Sequence, residues 1–176
     1  MVALNIGCGK RPIPGAFGVD LVALAGVQVV ANFEGCPLPF ASHSVQRIYT
    51  YHVLEHIRDL NALMTELHRV LAPGGELWVE VPYYACVGAF GDPTHVRFFA
   101  YHTFRFWTAD TDQANWFSRA RFQITRRKLV FGRVHRLLGI GWLANQFPDV
   151  YENFFAFWFP ARMLTVTLRA EKAPPA

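Results

Sequence analysis

The stretch Leu4-Asn5-Ile6-Gly7-Cys8-Gly9, followed after a short loop by Gly18-Val19-Asp20-Leu21, decides the fold of this chain. A short apolar strand ends in Gly-x-Gly, and a second apolar run ends in an acid. Glycines let a ligand approach the backbone closely, because no Cβ atom stands in the way. A carboxylate at the end of the second strand can accept hydrogen bonds from both hydroxyls of a ribose. The pattern indicates a nucleotide-type site at the carboxyl ends of strands one and two.

The same stretch departs from a dinucleotide-binding fingerprint in two ways. Pro12 stands where the third glycine would be, and Asp20 follows Gly9 by only eleven residues, where a complete strand–helix–strand unit needs about 20. Pro12 and Pro14 also forbid a regular helix in the intervening loop. We therefore expect the first crossover helix to be reduced to a loop. Because Gly-x-Gly after a strand is more often only a tight turn, the functional hypothesis depends on the residues that follow.

Further along the chain, strand patterns alternate with helical ones. Asp59 is a predicted N-cap, and apolar residues from Leu60 to Leu71 recur at helical spacing. Residues 137–147 are ambiguous, and residues 151–159 fit an aromatic helix or a loop. This order is typical of an α/β fold with a doubly wound, mostly parallel sheet. The predicted strands cover residues 2–6, 16–21, 27–31 (as a central strand), 45–51, 77–81, 122–130 and 163–170.

The composition indicates one domain, since 176 residues are enough to bury a core. We expect a cytoplasmic protein, because the sequence shows no signal peptide, no apolar run of membrane-spanning length and no CxxC among its three cysteines. The basic charge is local: residues 113–148 contain seven Arg and Lys residues but no acid. Such a run is usually a solvated face, and an anionic substrate, nucleic acid or membrane surface is the alternative.

Five pieces of the sequence, taken in order, resemble a class I S-adenosylmethionine-dependent methyltransferase of the compact type 11-like subgroup. They span residues 2–82. The resemblance implies a Rossmann-like, seven-stranded sheet with an antiparallel last strand and S-adenosyl-L-methionine bound at the carboxyl ends of strands one and two. The pieces are Leu4–Gly9, Gly18–Leu21, Leu38–Phe40, His52–Ile57 and Glu66–Leu77.

The resemblance also implies which residues hold the cofactor. Gly7 and Gly9 would pass close to its methionine and ribose portions, and Asp20 would hold the ribose hydroxyls. Asn32 stands where the family often has an acid near adenine, and its side-chain oxygen could still accept from the adenine amino group. Glu34 is the alternative for that role. The predicted cofactor-binding set is Gly7, Cys8, Gly9, Asp20, Leu21, Asn32, Phe33 and His52.

The acceptor side is expected on loops at the carboxyl ends of strands four and five. His95 is the candidate general base, because it follows the Asp92-Pro93 turn, and Arg97 could orient an anionic acceptor bidentately. A histidine that merely caps a loop is the more common case. The predicted catalytic set is His95, His52, Arg97 and Tyr83.

We therefore predict a single methyltransferase domain over residues 1–176, with a cofactor-binding half over 2–82, an acceptor and lid half over 83–171, and a tail over 172–176. The expected function is methyl transfer to a small molecule or a surface-polysaccharide precursor. A non-catalytic cofactor-binding or interaction protein on the same fold is the alternative.

The segment from His52 to His56 also matches H-x-x-E-H, a zinc-hydrolase pattern in which both histidines share a helix face. It directly follows a parallel strand, and no third ligand is evident on a following helix. We therefore predict no metal.

Two aromatic clusters in the second half of the sequence, over residues 98–107 and 151–159, are the last feature. Most such residues lie in a core, but this many exceed what a small sheet buries. A homodimer through the aromatic C-terminal region and peripheral membrane contact are therefore the alternatives. No nucleic-acid partner is expected, because the basic residues are not interleaved with aromatics in a recognised module. A lid over the cofactor must come from residues 83–117, from the C-terminal aromatics or from a partner subunit.

Overall fold

A computed structural model describes residues 2–109 and 118–172. Its seven strands form one sheet in the order β3-β2-β1-β4-β5-β7-β6. Among these strands only β7 runs antiparallel to its neighbours, β5 and β6. The predicted doubly wound sheet with an antiparallel last strand is confirmed. The strands are β1 (Ala3–Ile6), β2 (Phe17–Asp20), β3 (Val29–Val30), β4 (Val45–Tyr51), β5 (Leu71–Pro82), β6 (Phe122–Val130) and β7 (Met163–Ala170).

The longest helix among the described residues is the one that the sequence predicts between β4 and β5. The Asp59 side chain accepts a hydrogen bond from the Ala62 amide and caps the helix, which buries one apolar stripe against the sheet. The ambiguous residues 137–147 are largely helical. No helix in the described part of the chain is long and apolar enough to cross a membrane. The helices are α1 (Leu60–Val70), α2 (Val87–Phe90), α3 (Arg133–Leu137), α4 (Ile140–Gln146) and α5 (Pro148–Val150), with 3₁₀ turns at Leu54–His56 and Thr103–Trp107 and a π turn at Tyr151–Phe155.

The connection from β1 to β2 is a loop, as the prolines predict. Residues 7–16, all described, contain no helix, and the Gly7 amide donates directly to the Val19 carbonyl at 2.7 Å. A Cβ on Gly18 would lie 2.3 Å from the Gly26 carbonyl oxygen and 2.8 Å from Cys8 Sγ, so only glycine fits there. The loop is therefore fastened to β2 by its own backbone.

The expectation of a central strand over residues 27–31 is wrong. β3 has only two residues and lies at the edge of the sheet, where Val30 is exposed. An apolar run predicts burial on both faces only if a further strand lies beyond it. Here none does among the described strands.

An ion pair holds α1 to the irregular segment before β4. Glu66 accepts from the Leu38 amide and from the Arg69 guanidinium, both at 2.7 Å, and the same guanidinium donates to the Phe40 carbonyl and the Ser42 hydroxyl. Hydrogen bonding from Arg69 is the main cause that lowers the pKa of Glu66. The clamp therefore depends on an ionised carboxylate.

We expect Glu66→Gln to lower the free energy of unfolding at pH 7 by about 1–2 kcal/mol, since hydrogen bonds to charged groups contribute about that much. Because the folded pKa of Glu66 is depressed, its contribution is present above the unfolded value of ~4.3 and is lost as the pH falls through the folded value. Urea unfolding at several pH values, with the exposed Glu171→Gln as control, measures this. The prediction is contradicted if the free energies of unfolding of Glu66→Gln and the unsubstituted protein differ by the same amount at pH 3 and at pH 7.

Candidate active site

A cleft of about 720 Å³ lies where the carboxyl ends of β1, β4 and β5 meet, and its volume is in the range of small-molecule sites. A smaller side cavity of about 240 Å³ adjoins it. Gly7, His52 and His56 line both spaces. Together they form a continuous path along the edge of the sheet.

The two glycines of the first turn have different tasks. Both have positive φ, of 64° at Gly7 and 50° at Gly9. A Cβ on Gly7 would lie 2.4 Å from Val53 Cγ2, whereas one on Gly9 would meet nothing within 4 Å. Gly7 is therefore required by packing, and Gly9 leaves a stretch of backbone open to a ligand.

Asp20 is oriented by this turn. Its Oδ2 accepts from the Gly9 amide at 2.8 Å, and its Oδ1 accepts from the Val22 amide at 3.2 Å. Each carboxylate oxygen keeps a further lone pair. Asp20 lines neither cavity but is held by a residue, Gly9, that lines the main cleft.

The side cavity brings together the residues expected around adenine. Leu21, Asn32 and Phe33 line it, with Glu34 beside them. Asn32 Oδ1 accepts from the Glu34 amide at 2.9 Å, and the Glu34 carboxylate accepts from the Arg58 amide at 2.6 Å. Asn32 therefore stabilises the local turn, and Glu34 joins this turn to the segment before α1, while both residues line the side cavity.

His52 stands at the junction of the two spaces, with a φ of 56° that is strained for a residue with a Cβ. Its Nδ1 donates to Glu55 Oε1 at 3.2 Å, and its Nε2 lies 3.5 Å from Glu80 Oε1. The hydrogen bond to Glu55 is the main cause that raises the pKa of His52. Two carboxylates thus favour a charged imidazole at the junction.

His95 lies in the main cleft with its side chain only 7% exposed. Its Nδ1 donates to the Ala89 carbonyl at 3.0 Å, and its ring packs edge-on against His56 with 4.7 Å between ring centroids. The structure therefore brings His95 and His52 to the same cleft, as the sequence predicts.

Arg97 and Tyr83 lie elsewhere. Arg97 donates to the carbonyls of Ile57 and Arg58, and Tyr83 is fully buried with its hydroxyl donating to Glu152. Burial is the main cause that raises the pKa of Tyr83. Neither residue lines the cleft. Their contacts in this structure are structural, because they hold the loops after β4 and β5 in place.

Sequence reasoning gave no site role to two acids of the cleft, Glu55 and Glu80, and treated a third, Asp92, only as part of a turn. Glu55 lies inside the H-x-x-E-H pattern, which was considered only as a zinc-hydrolase motif. His52 precedes the 3₁₀ turn that contains His56, so the two do not share a helix face as that pattern requires. Glu80 lies two residues before the end of β5, and this position at a strand end was its only signal.

The aromatic clusters divide between core and surface. Phe99, Tyr101, Phe104 and Trp107 are buried, whereas Phe154, Phe155, Phe157, Trp158 and Phe159 are exposed. The first cluster is therefore mainly core, and the second is mainly surface.

Comparison with known proteins gives one family. Residues 17–79 match a methyltransferase domain (Methyltransf_11). No curated protein sequence matches the chain significantly.

Solved structures with the same fold are distant in sequence. A SAM-dependent methyltransferase from Archaeoglobus fulgidus is 14% identical, with a TM-score of 0.65 over 96% of this chain and 85% of that one. YcgJ from Bacillus subtilis is 15% identical, with a TM-score of 0.60 over 98% and 92%. The 4+2 cyclase SpnF is 17% identical, with a TM-score of 0.58 over 98% and 76%. Residues 17–79 therefore resemble the methyltransferase domain family, and the chain as a whole has the fold of class I methyltransferases.

Proposed function

We propose that this chain is an enzyme that transfers a methyl group from S-adenosylmethionine to a small-molecule acceptor in the main cleft. The family match over residues 17–79 supports methyl transfer, and the Archaeoglobus neighbour is SAM-dependent. The observation that carries the proposal is geometric. The side cavity, the glycine turn and His52 form one path from a space of adenine size into a larger cleft that holds titratable groups.

The chain's residues fit this cofactor part by part. Leu21 and Phe33 offer apolar surface to an adenine, and Asn32 keeps an oxygen lone pair for its amino group. Asp20 keeps a lone pair on each oxygen for the ribose hydroxyls. Gly9 has open space where a Cβ would stand, which suits the close passage of the methionine portion.

When bound, the cofactor supplies a methyl group on a positively charged sulfur, and its leaving group needs no proton. The chain's own work is therefore to orient the acceptor and exclude water. His52 meets both ligand spaces and is positioned to orient a polar group of the acceptor. His95 donates a hydrogen bond from its Nδ1–H to the Ala89 carbonyl, so the lone pair on its Nε2 is available to take a proton from the acceptor.

A non-catalytic or differently catalytic protein on this fold is the second candidate, and the likeness to SpnF, a cyclase, favours keeping it. A screen distinguishes the two acceptor classes, a metabolite and a surface-polysaccharide precursor. Purified protein incubated with methyl-labelled S-adenosylmethionine and fractionated metabolite pools would label one acceptor if the proposal holds. Cofactor binding without label in any pool would favour the second candidate.

We expect Asp20→Asn to weaken S-adenosylmethionine binding at least about tenfold, or about 1.4 kcal/mol, because one oxygen is replaced by an amide that cannot accept a ribose hydroxyl. Isothermal titration calorimetry measures this, with Asp149→Asn as the control at an exposed acid outside the cleft. Equal affinity in Asp20→Asn and the unsubstituted protein would refute the site, and no binding to the unsubstituted protein would refute the function.

We expect His95→Ala to lower turnover about a hundredfold with little change in cofactor affinity, the effect typical of losing a general base. The readout is label transfer to the acceptor that the screen identifies, together with calorimetry. His102→Ala is the matched control, since His102 contacts Asp149 and does not line the cleft. Near-normal turnover in His95→Ala would remove this residue from the mechanism.

A further inference from the structure

We propose that Glu55, His56 and His95 form a binding site for one divalent transition-metal ion in the main cleft. One ligand atom from each residue lies within 4.8 Å of the others. Two imidazoles with one carboxylate hold Zn²⁺ in hydrolases and Fe²⁺ in oxygenases. The sequence predicts no metal here, so the geometry leads to a different conclusion.

Glu55 gives the first independent support. Its side chain is 1% exposed, and while Oε1 accepts from His52, Oε2 has no hydrogen-bond partner. A buried carboxylate oxygen without a partner costs free energy comparable to the loss of a charged hydrogen bond. A cation beside Oε2 removes that cost.

The histidines give the second support, because their partners fix which ring nitrogen carries the proton. His95 Nδ1 donates to the Ala89 carbonyl, which leaves a lone pair on Nε2. The Thr94 hydroxyl donates to Asp92 at 2.6 Å and so accepts from His56 Nδ1 at 2.9 Å. His56 also keeps its lone pair on Nε2. Metal-binding histidines almost always make such a bond through the other ring nitrogen.

The backbone keeps these ligands in register. Glu55 and His56 are consecutive in the turn after β4, and the Val96 amide donates to the Glu55 carbonyl at 2.9 Å. That bond fastens the loop that carries His95 to the turn that carries the other two ligands. The site is therefore built by two loops that the sheet places side by side.

A cation here would act on the acceptor. The cation would lie in the main cleft, where an oxygen atom of the acceptor could complete its coordination. Coordination lowers the pKa of a hydroxyl, so its proton leaves to solvent near neutral pH and a nucleophilic oxygen remains. With a cation bound, His95 would assist proton loss as a metal ligand, and without one as the general base proposed above; the metal site points to an oxygen-bearing acceptor. The chemical consequence rests on the proposed function, but metal binding does not.

Zinc alone tests the site, without cofactor or acceptor. Chelator-treated protein should bind one Zn²⁺ per chain in competition with a chromophoric chelator, and Co²⁺ should give visible ligand-field absorption. His56→Ala and His95→Ala should each weaken binding at least about a hundredfold, and Thr94→Val about tenfold, as expected for an outer partner.

His102→Ala is the control and should bind zinc normally, and circular dichroism should verify that each variant is folded. Glu55→Gln is a further variant, whose burial makes this folding check necessary. Absence of stoichiometric zinc, or equal binding by folded His56→Ala and His95→Ala, would overturn the proposal. Zinc binding with no methyl transfer would leave the site standing and refute only the proposed function.

We also infer that the apolar surface over residues 134–159 docks onto an anionic lipid surface. Leu137 is 87% exposed and Trp158 79% exposed. An apolar groove of about 320 Å³ between α4 and the π turn is lined by residues of the same segment. Single exposed apolar residues are ordinary, but this concentration of them in one segment is typical of an interaction site. The other strongly exposed members are Val134, Leu138, Trp142, Phe147, Phe154 and Phe157.

Charge selects lipid as the occupant. Exposed Arg133 and Arg136 lie on α3, and exposed Arg126 and Lys128 lie on β6, which precedes it. Residues 118–148 contain no acid, and Asp149, which contacts His102, is the one exposed acid of residues 134–159. Exposed tryptophans beside clustered arginines suit the boundary between head groups and acyl chains. A second copy of the chain would bring the same positive charges face to face.

Vesicles of phosphatidylcholine with phosphatidylserine test this by flotation. We expect binding that falls at high salt, that is lost with pure phosphatidylcholine, and that Trp142→Ser and Trp158→Ser together weaken at least about tenfold. Arg133→Glu with Arg136→Glu should do the same, while Phe17→Ser, at an exposed apolar residue on β2, should not. No binding to the mixed vesicles, or a dimer that Trp158→Ser dissociates without any lipid binding, would overturn the inference.

Discussion

The hydrogen bond from the Gly9 amide to Asp20 is the contact on which the site depends. In a complete strand–helix–strand unit the crossover helix would position the second strand against the first. Here that helix is missing, and the chain substitutes backbone contacts: Gly9 to Asp20, and Gly7 to the Val19 carbonyl. A cofactor without a pyrophosphate does not need the dipole of a helix N-terminus, so the substitution is compatible with the proposed ligand.

The main cleft and the side cavity are lined by partly different segments of the chain. The described residues that line the side cavity all fall between 7 and 57, whereas the main cleft adds residues from 80–95 and from Arg162 and Met163. The loop after β5 is fastened to Glu55 through the Val96 amide and contributes residues to the main cleft, the proposed acceptor side, but none to the side cavity. Part of the predicted lid, residues 110–117, lies outside the described chain.

Much of the sheet could be predicted from the sequence, because the alternation of apolar and polar residues and the turn residues at strand ends are local features. β4, β6 and β7 have the predicted bounds, and Asp59 caps α1 as expected. The prediction of a central strand for β3 was wrong because an edge position is a property of the assembled sheet.

The roles of the loop residues were harder to predict for the same reason. Arg97 and Tyr83 looked like site residues, but their directions are set by carbonyl and carboxylate partners some 40 or more positions away in sequence. Glu55 was assigned no role because the cluster of Glu55, His56 and His95 joins two loops, and no spacing within one segment encodes such a cluster.

Burial of Glu55 is the feature that links the fold to its chemistry. A carboxylate taken out of water is tolerated only with compensating positive charge or hydrogen bonds, and removing either is strongly destabilising. His52 compensates one oxygen of Glu55, the other has no hydrogen-bond partner, and a ligand atom of His56 and one of His95 lie within 4.8 Å of a Glu55 oxygen. The Nδ1 atoms of His56 and His95 donate elsewhere, which leaves an acceptor nitrogen on each neutral ring. Two such nitrogens and a bare carboxylate oxygen cannot satisfy one another, since all three accept and none donates. A cation is a partner that would satisfy all three groups at once, as proposed above. The buried Glu55 carboxylate therefore links the packing of the turn after β4 to the proposed metal site.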